Sequence, residues 1–152
     1  MDIELPSDFQ DFLKLLNVHG VEYLVVGGYA VIYHGYPRAT QDLDIWIAVH
    51  SENAKRVVAT LEEFGFGSPE LTTDLFLKDE NIVRMGIAPI RIEVTTRISG
   101  VEFQESYREK IVDDMDGIPV NIISLKDLRR NKKASGRYKD LNDLENLKPA
   151  DD

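Results

Sequence analysis

Hydrophobic and polar positions along this chain follow two periods, and the changes of period divide it into helices and strands. Residues 7–19 carry apolar side chains at helical spacing and predict a first helix. Ser7 and Gln10, at its start, predict a capping box in which the serine caps the helix. Residues 21–26 are largely apolar and predict a short strand that ends at a glycine pair. The apolar stripe of the first helix consists of Phe9, Phe12, Leu13 and Leu16.

The next two elements are a short helix and a strand whose faces differ. Residues 29–34 predict a helix that closes near Gly35, and Pro37 bars its extension. Residues 42–49 alternate between polar and apolar side chains, which is the period of a β-strand. We therefore expect the carboxylates of this strand to point the same way. One face carries Asp42, Asp44 and Trp46, and the other carries Leu43, Ile45 and Ile47.

The middle of the chain predicts a second long helix and then strands. The helix is expected to run from Ser51, as its cap, to about Phe64, with Gly65 ending it. Residues 75–96 predict strands, the last of which alternates over 90–96.

The C-terminal third predicts a hairpin followed by two helices. The dipeptide Asp116-Gly117 is a two-residue turn signal between two apolar segments. Ser124 starts a helix that extends to about residue 134, Gly136 interrupts it, and a last helix covers roughly 139–147. The hairpin is antiparallel, whereas the early strand–helix–strand unit need not be. The chain is therefore predicted to be α/β (α+β), with a mixed β-sheet flanked by helices and a C-terminal helical segment.

Composition limits the class of protein. With 152 residues, 43% of them hydrophobic, the chain can bury one substantial core, and a single domain over residues 1–152 is the simplest organisation. The absence of cysteine excludes disulfides and thiolate metal sites. The acidic N-terminus lacks the pattern of a signal peptide, and the apolar runs are too short to span a membrane. We expect a soluble cytoplasmic protein with no membrane partner.

Charge is distributed unevenly along the chain. The formal net charge is −9, which argues against broad nucleic-acid binding by the whole surface. Residues 126–139 nevertheless concentrate basic side chains and predict either a local anion site or a solvated helix face. These basic residues are Lys126, Arg129, Arg130, Lys132, Lys133, Arg137 and Lys139.

Residues 24–47 hold the chemistry that the sequence indicates most clearly. Gly27-Gly28 ends an apolar run and leads into a helix, where backbone N–H groups can hold phosphate. Asp42 and Asp44 stand two residues apart on a strand, so both carboxylates can share a hard cation such as Mg²⁺. A phosphate cradle beside a metal dyad is what nucleotide chemistry requires.

Nucleotidyl transfer moves NMP from an NTP to an acceptor, and paired metal ions are suited to it. Such a site needs a third carboxylate on a neighbouring strand, and Glu93 is the candidate, because it lies on the polar face of an alternating strand. The alternative is a solvent-facing glutamate paired with Arg91 or Arg97.

The ordered set of a glycine pair, the RxTxDxD sequence at 38–44 and a later strand acid resembles the nucleotidyltransferase superfamily built on the DNA polymerase β palm. More narrowly, VGGYAVIYHGYPRATQDLDI and KKASGRYKDLNDLENL resemble small AbiEii-type nucleotidyltransferase-like proteins of type IV toxin–antitoxin systems. The resemblance covers about residues 20–50, 90–96 and 124–147.

The resemblance implies a nucleotidyltransferase fold with roles for particular residues. It places Gly27 and Gly28 by the triphosphate and makes Asp42, Asp44 and Glu93 ligands of Mg²⁺ or Mn²⁺. Many active members have a serine at the position of Gly28, whose hydroxyl touches a phosphate. With glycine there, any phosphate contact at that position must come from the backbone. The third acid is more often aspartate than glutamate.

Several flanking residues are candidates for the nucleotide site. Arg38, with Thr40 two residues on, either binds phosphate or pairs with Asp42 and holds the loop. Lys133 and Arg137, together with Lys132, can place positive charge along the triphosphate tail. Asp140, in a sequence similar to the family's RxKD ending, either orients a lysine or begins a helix. For His34 and Trp46 a structural role is at least as plausible as a contact with nucleotide.

The leading hypothesis is a Mg²⁺-dependent nucleotidyltransferase that uses an NTP and transfers NMP to an RNA end such as that of tRNA, a protein hydroxyl or a small molecule. A toxin-type enzyme with a cognate antitoxin is consistent with the resemblance. One alternative is a catalytically silent nucleotide-binding protein of the same fold. The other is a protein-interaction module whose acidic dyad faces solvent.

Overall fold

A computed structural model describes residues 3–86 and 90–148. Within these ranges six strands form one sheet, and their bounds are β1 Tyr23–Val26, β2 Asp42–Ile47, β3 Ile82–Met85, β4 Arg91–Thr95, β5 Ile111–Met115 and β6 Ile118–Ile122. The α-helices of the same ranges are α1 Ser7–Val18, α2 Gly27–Tyr33, α3 Ser51–Leu61, α4 Phe103–Arg108, α5 Leu125–Ser135 and α6 Tyr138–Asn146. A π-helical turn, Glu62–Phe66, and a 3₁₀ turn, Thr73–Phe76, follow α3.

The sheet is mixed, as the sequence predicts. Its strand order is β3-β4-β2-β1-β6-β5. The central strand β1 is antiparallel to β2 and parallel to β6, and β2 is parallel to β4. The edge strands β3 and β5 each pair antiparallel with their neighbour. Because β2 and β4 are parallel neighbours, the first residues of both strands lie at the same end of the sheet.

Several local predictions are confirmed because they depend on short-range chemistry. The hairpin turns at Asp116 and Gly117, whose φ angles of 54° and 81° are the left-handed values that this turn needs. Ser124 caps α5 by accepting a hydrogen bond from the Asp127 backbone N–H at 3.2 Å. Gly136, with φ 69°, ends that helix in the left-handed conformation.

Two predicted helix caps are wrong. Pro6 precedes α1, and Ser7 is its first residue and makes no capping bond, while Gln10 donates to the Leu5 carbonyl at 3.0 Å instead of closing a capping box. The cap of α3 is His50, whose ring Nδ1 accepts from the Asn53 backbone N–H at 3.2 Å. In both cases the residue one step earlier occupies the cap position.

The strand prediction over 75–96 is too broad. The 3₁₀ turn covers its start, β3 begins only at Ile82, and residues 87–89 lie outside the described part of the chain. The predicted helix at 29–34 begins two residues earlier, at Gly27, and α4 was not predicted. Short elements such as α4 have too few turns to establish a period.

The two faces of β2 are covered differently. Leu43, Ile45 and Ile47 are fully buried in the main core. On the opposite face the Trp46 ring packs edge-on against Phe103 of α4, with ring centroids 5.1 Å apart. This face is therefore closed at the end of β2 and more open at its start, where the two aspartates lie half-buried. None of the described helices is long and apolar enough to cross a membrane.

Candidate active site

Two of the predicted carboxylates lie directly opposite each other. In the parallel register of β2 and β4, Asp44 pairs with Glu93 and Asp42 pairs with Arg91. Side chains at paired positions point to the same face of a sheet. The structure thus brings Asp42, Asp44 and Glu93 to one face of the sheet. The shared face of Asp42 and Asp44 agrees with the alternation of residues 42–49.

Gly27 makes room for this arrangement. Strand β1 ends with Val26 paired to Asp44, and Gly27 follows with φ 65°. A methyl group on the Gly27 Cα would lie 2.0 Å from Asp44 Oδ2. Both the backbone angle and the contact therefore require glycine, because any other side chain would displace the carboxylate.

Burial and the neighbouring carboxylates change the pKa of Asp44. Burial raises the pKa of Asp44, and the neighbouring charges of Glu93 and Asp42 and a hydrogen bond with Glu93 raise it further, to about 7. Lys139 opposes these effects and lowers the pKa of Asp44, which places this lysine within electrostatic reach of the site. An excess of negative charge at one point favours a proton or a cation there.

The carboxylates beside Asp44 are paired with arginines. Arg91 Nε lies 3.5 Å from Asp42 Oδ1, and Arg84 Nε donates to Glu93 Oε1 at 2.9 Å. The alternative in which Glu93 pairs with Arg91 or Arg97 is therefore wrong, since its partner comes from β3. Both arginines are about half exposed, so each pair borders solvent.

The donor set fits a hard cation by its chemistry. Carboxylate oxygens are what Mg²⁺ and Mn²⁺ bind, and adjacent Asp44 and Glu93 supply them from two rigid strands. In the ranges 3–86 and 90–148, however, no three His, Asp or Glu side chains already surround a common metal position. Asp42, the third proposed ligand, has its Oδ1 atom 3.5 Å from Arg91 Nε, so a cationic side chain already neighbours this carboxylate.

The loop before β2 packs against Gly28. A methyl group on the Gly28 Cα would lie 2.4 Å from Thr40 Oγ1 and 3.4 Å from a terminal nitrogen of Arg38. The Thr40 hydroxyl donates to the Asp42 carbonyl at 3.4 Å, a long hydrogen bond. The structure therefore places Arg38 and Thr40 beside Gly28, the second residue of the glycine pair.

The partner of Arg38 was not predicted. The guanidinium forms two hydrogen bonds with the buried Asp143 carboxylate, Nε at 2.8 Å and a terminal nitrogen at 3.0 Å. The alternative pairing of Arg38 with Asp42 is wrong. A sequence separation of 105 residues hides this contact from any local pattern.

Asp143 belongs to a buried ionic cluster between α5 and α6. Lys132, 4% exposed, lies 3.0 Å from both Asp140 Oδ1 and Asp143 Oδ2. Arg137 Nε donates to Asp140 Oδ2 at 2.7 Å, and Ser135 also donates to this carboxylate. Burial raises the pKa of Asp140, but hydrogen bonds from Ser135, Arg137 and Lys132 outweigh it and lower the pKa to about 2.

The cluster corrects the predicted role of Lys132. Lys132 neutralises internal carboxylates and does not offer its charge to solvent, because it is buried between them. Asp140 orients this lysine, so the expectation that it orients a lysine holds with Lys132 as the partner. Lys133 and Arg137 are exposed. The basic residue of this segment that acts electrostatically on Asp44 is Lys139.

Two aromatic or histidine candidates have structural roles. The His34 ring Nε2 is hydrogen-bonded to the Ile123 carbonyl at 2.7 Å, and burial lowers the pKa of this histidine. Trp46 is buried and donates to the Thr96 carbonyl at 3.4 Å. Both contacts join neighbouring parts of the fold.

Comparison with known proteins identifies the class. The fold matches that of a crystal structure from Thermotoga maritima, of a protein named a putative nucleotidyltransferase (TM1012), with a TM-score of 0.60 over 94% of each chain. The two sequences are 16% identical, so this similarity concerns the fold alone. Residues 4–150 match the family described as nucleotidyltransferase of unknown function (DUF6036), and the chain belongs to this family. No curated protein matches the chain in sequence.

Proposed function

We propose that the protein is a Mg²⁺-dependent nucleotidyltransferase that transfers NMP from an NTP to a hydroxyl acceptor. The observation that carries this proposal is the direct pairing of Asp44 with Glu93 on parallel strands, with Asp42 on the same face and Gly27 pressed against Asp44. Rigid strands hold these carboxylates, and the geometry leaves no space for a side chain at residue 27. The membership of the nucleotidyltransferase family supports the same reaction.

Asp42, Asp44 and Glu93 would hold Mg²⁺, or Mn²⁺ in its place. The cation would polarise the α-phosphate and favour the deprotonated acceptor hydroxyl. Asp42 would exchange its contact with Arg91 for the cation, and Glu93 would do the same with Arg84. The released arginines lie at the solvent border of the site, where they can meet phosphate oxygens.

The positive side of the site comes from the N-terminal turn of α6. Lys139 is within electrostatic reach of Asp44, and Arg137 stands two residues before it. Together with Lys133 they would neutralise charge on the leaving pyrophosphate, while Gly27 and Gly28 would contact the triphosphate through their backbone N–H groups. Fixed charges that meet developing charge in this way are a main source of catalysis.

The acceptor and the biological setting are the finer part of the proposal. The exposed basic side chains of 126–139 could bind the phosphates of a short RNA end such as that of tRNA. A protein hydroxyl or a small molecule as acceptor would need fewer of these basic contacts. The sequence resemblance to AbiEii-type proteins supports a toxin role with a cognate antitoxin.

One specific observation favours a second candidate, a nucleotide-binding or protein-interaction module without turnover. Glu93 is hydrogen-bonded to Arg84 and Asp42 lies 3.5 Å from Arg91, so two of the three proposed ligands already have cationic partners. An equilibrium that favours these pairs over a metal ion would leave nucleotide binding without transfer.

The test is incubation of the protein with each α-phosphate-labelled NTP, Mg²⁺ and a panel of RNA, protein and small-molecule acceptors. Pyrophosphate release and a labelled acceptor are expected. Asp44→Asn should lower the rate by more than about 100-fold, since even partners of metal ligands cost about 10–100-fold. Asp114→Asn, on the exposed part of β5, is the matched control and should transfer normally.

The outcomes separate the two candidates. Full transfer by Asp44→Asn contradicts the proposed site. Binding of NTP·Mg²⁺ by the wild type without transfer to any acceptor, measured by calorimetry, supports the silent module instead.

A further inference from the structure

The loop before β2 places a hydroxyl where a side chain at residue 28 would otherwise lie. We infer that the Thr40 hydroxyl binds a phosphate oxygen of the nucleotide, and that it takes the place of a side-chain contact from residue 28. This inference rests on the proposed function and adds to it one specific protein contact with the phosphate.

The space beside Gly28 can hold only one of the two side chains. A methyl group at Gly28 would lie 2.4 Å from Thr40 Oγ1 and 2.8 Å from Thr40 Cβ. Real carbon atoms do not approach this closely. Since a serine hydroxyl lies one bond beyond its Cβ, Thr40 Oγ1 occupies the region that a serine at residue 28 would use.

The hydroxyl is available for a ligand. Its hydrogen bond within the described part of the chain, to the Asp42 carbonyl, is 3.4 Å long, which is at the weak limit. Thr40 is also partly exposed to solvent. A phosphate oxygen would therefore accept a stronger hydrogen bond from this hydroxyl than the carbonyl does.

The position of the hydroxyl is fixed from both sides. Thr40 lies two residues after Arg38, which Asp143 holds through two hydrogen bonds, and two residues before Asp42, the first residue of β2. A terminal nitrogen of Arg38 also lies 3.4 Å from the same Gly28 methyl position. This nitrogen also donates to the Ala39 carbonyl at 3.0 Å, which further fixes the loop. The Thr40 hydroxyl is therefore held beside Gly28, the residue that follows Gly27.

The alternative is that Thr40 only fills space against Gly28. The two roles differ in one atom, because valine has the shape of threonine without the hydroxyl. The two roles also differ in a second expectation. If the Thr40 hydroxyl binds phosphate, a serine hydroxyl introduced at residue 28 can replace it in nucleotide binding, whereas a space-filling role predicts no such replacement.

The experiment measures the affinity of the full-length protein for a non-hydrolysable ATP, CTP, GTP or UTP analogue with Mg²⁺ by titration calorimetry. Thr40→Val is expected to weaken binding by about tenfold or more, the usual effect of losing a hydrogen bond to a charged group. Thr40→Ser should bind within about threefold of the wild type, because it keeps the hydroxyl.

A relocated hydroxyl provides the second comparison. Gly28→Ser with Thr40→Gly should bind at least about tenfold tighter than Gly28→Ala with Thr40→Gly, since these double variants differ by one oxygen and glycine at residue 40 clears both crowded atoms. This pair also decides the matter if Thr40→Val does not fold, which circular dichroism would show.

Equal affinity of folded Thr40→Val and wild type overturns the inference while leaving the proposed function in place. Equal affinity of the two double variants does the same. A wild type that binds none of the four analogues with Mg²⁺ contradicts the proposed function, and the inference falls with it.

Discussion

Asp44 is subject to two opposing requirements. Burial and the charges of Glu93 and Asp42 raise its pKa to about 7, so its charged form is unfavourable in the folded protein. A metal ligand must nevertheless be charged. The residue therefore costs stability at high pH and supplies the negative charge that a cation would bind.

Asp44→Asn should stabilise the protein above pH 7 when no divalent cation is present. An acid with a raised folded pKa holds its proton more tightly in the folded than in the unfolded state, so its contribution to stability is lost as pH rises from about 4 to about 7. A change of about 1 kcal/mol would raise the Tm by about 2–4 °C at pH 8. At pH 4 the two proteins should melt alike.

Thermal melts at both pH values, with and without Mg²⁺, check this prediction. Mg²⁺ should raise the Tm of the wild type only. An Asp44→Asn protein that melts well below the wild type at pH 8 without Mg²⁺ would show that the carboxylate is not destabilising.

Gly27→Ala should disturb the site more than a positive φ angle alone explains. The added methyl would lie 2.0 Å from Asp44 Oδ2, whereas one at Gly117, which also has positive φ, meets nothing within 4 Å. We expect a loss of about 1–3 kcal/mol from strain in Gly117→Ala and a larger loss in Gly27→Ala. Urea denaturation measures both, and equal losses would contradict the close contact.

At the scale of elements, the buried cluster joins α5, α6 and the loop before β2. Lys132 contacts Asp140 and Asp143, and Asp143 holds Arg38. The cluster fixes the start of α6, which carries Lys139, relative to the loop that carries Thr40. The two sides of the proposed nucleotide site are therefore positioned by a single set of ion pairs.

Lys132→Met should destabilise the protein strongly. It removes the cation between two buried carboxylates, and breaking a buried pair costs about 3–5 kcal/mol. Lys133→Met, at the adjacent exposed position, should change the free energy of unfolding by less than about 0.5 kcal/mol. Urea denaturation of both variants is the measurement, and similar midpoints would mean that the cluster contributes little.

Acid unfolding should report on the same cluster. The pKa of Asp140 is lowered to about 2, so its contribution is fully present above about pH 4 and is lost as pH falls from there toward 2. Stability measured across this range should fall less steeply in Asp140→Asn than in the wild type. An unchanged slope would contradict the lowered pKa.

The same elements show what a sequence can and cannot reveal. The β5–β6 hairpin and the cap at Ser124 depend on residues within four positions of one another, so they could be predicted. The faces of β2 and β4 follow from a period of two, whereas the parallel pairing that sets Asp44 beside Glu93 is a long-range contact that only the structure shows. The pairing of Arg38 with Asp143 depends on how α6 packs, and no local pattern contains that information.

At the scale of the whole molecule, the mixed sheet accounts for the location of the site. The glycine turn lies at the end of β1, and the carboxylates lie at the starts of β2 and β4, which run opposite to β1. These three positions meet at one end of the sheet because β2 lies between β1 and β4. Lys139, in the first turn of α6, lies within electrostatic reach of Asp44 and lowers its pKa.

The central claim is that Asp42, Asp44 and Glu93 hold the metal ion of a nucleotide site. A crystal structure with Mn²⁺ and a non-hydrolysable NTP analogue tests it most directly, since anomalous scattering locates the manganese ion independently of any assumed ligands. The account predicts a manganese peak in contact with Asp44 and Glu93, with Asp42 turned from Arg91 toward it and the triphosphate extending to Lys139. Nucleotide bound with its metal away from these carboxylates would contradict it.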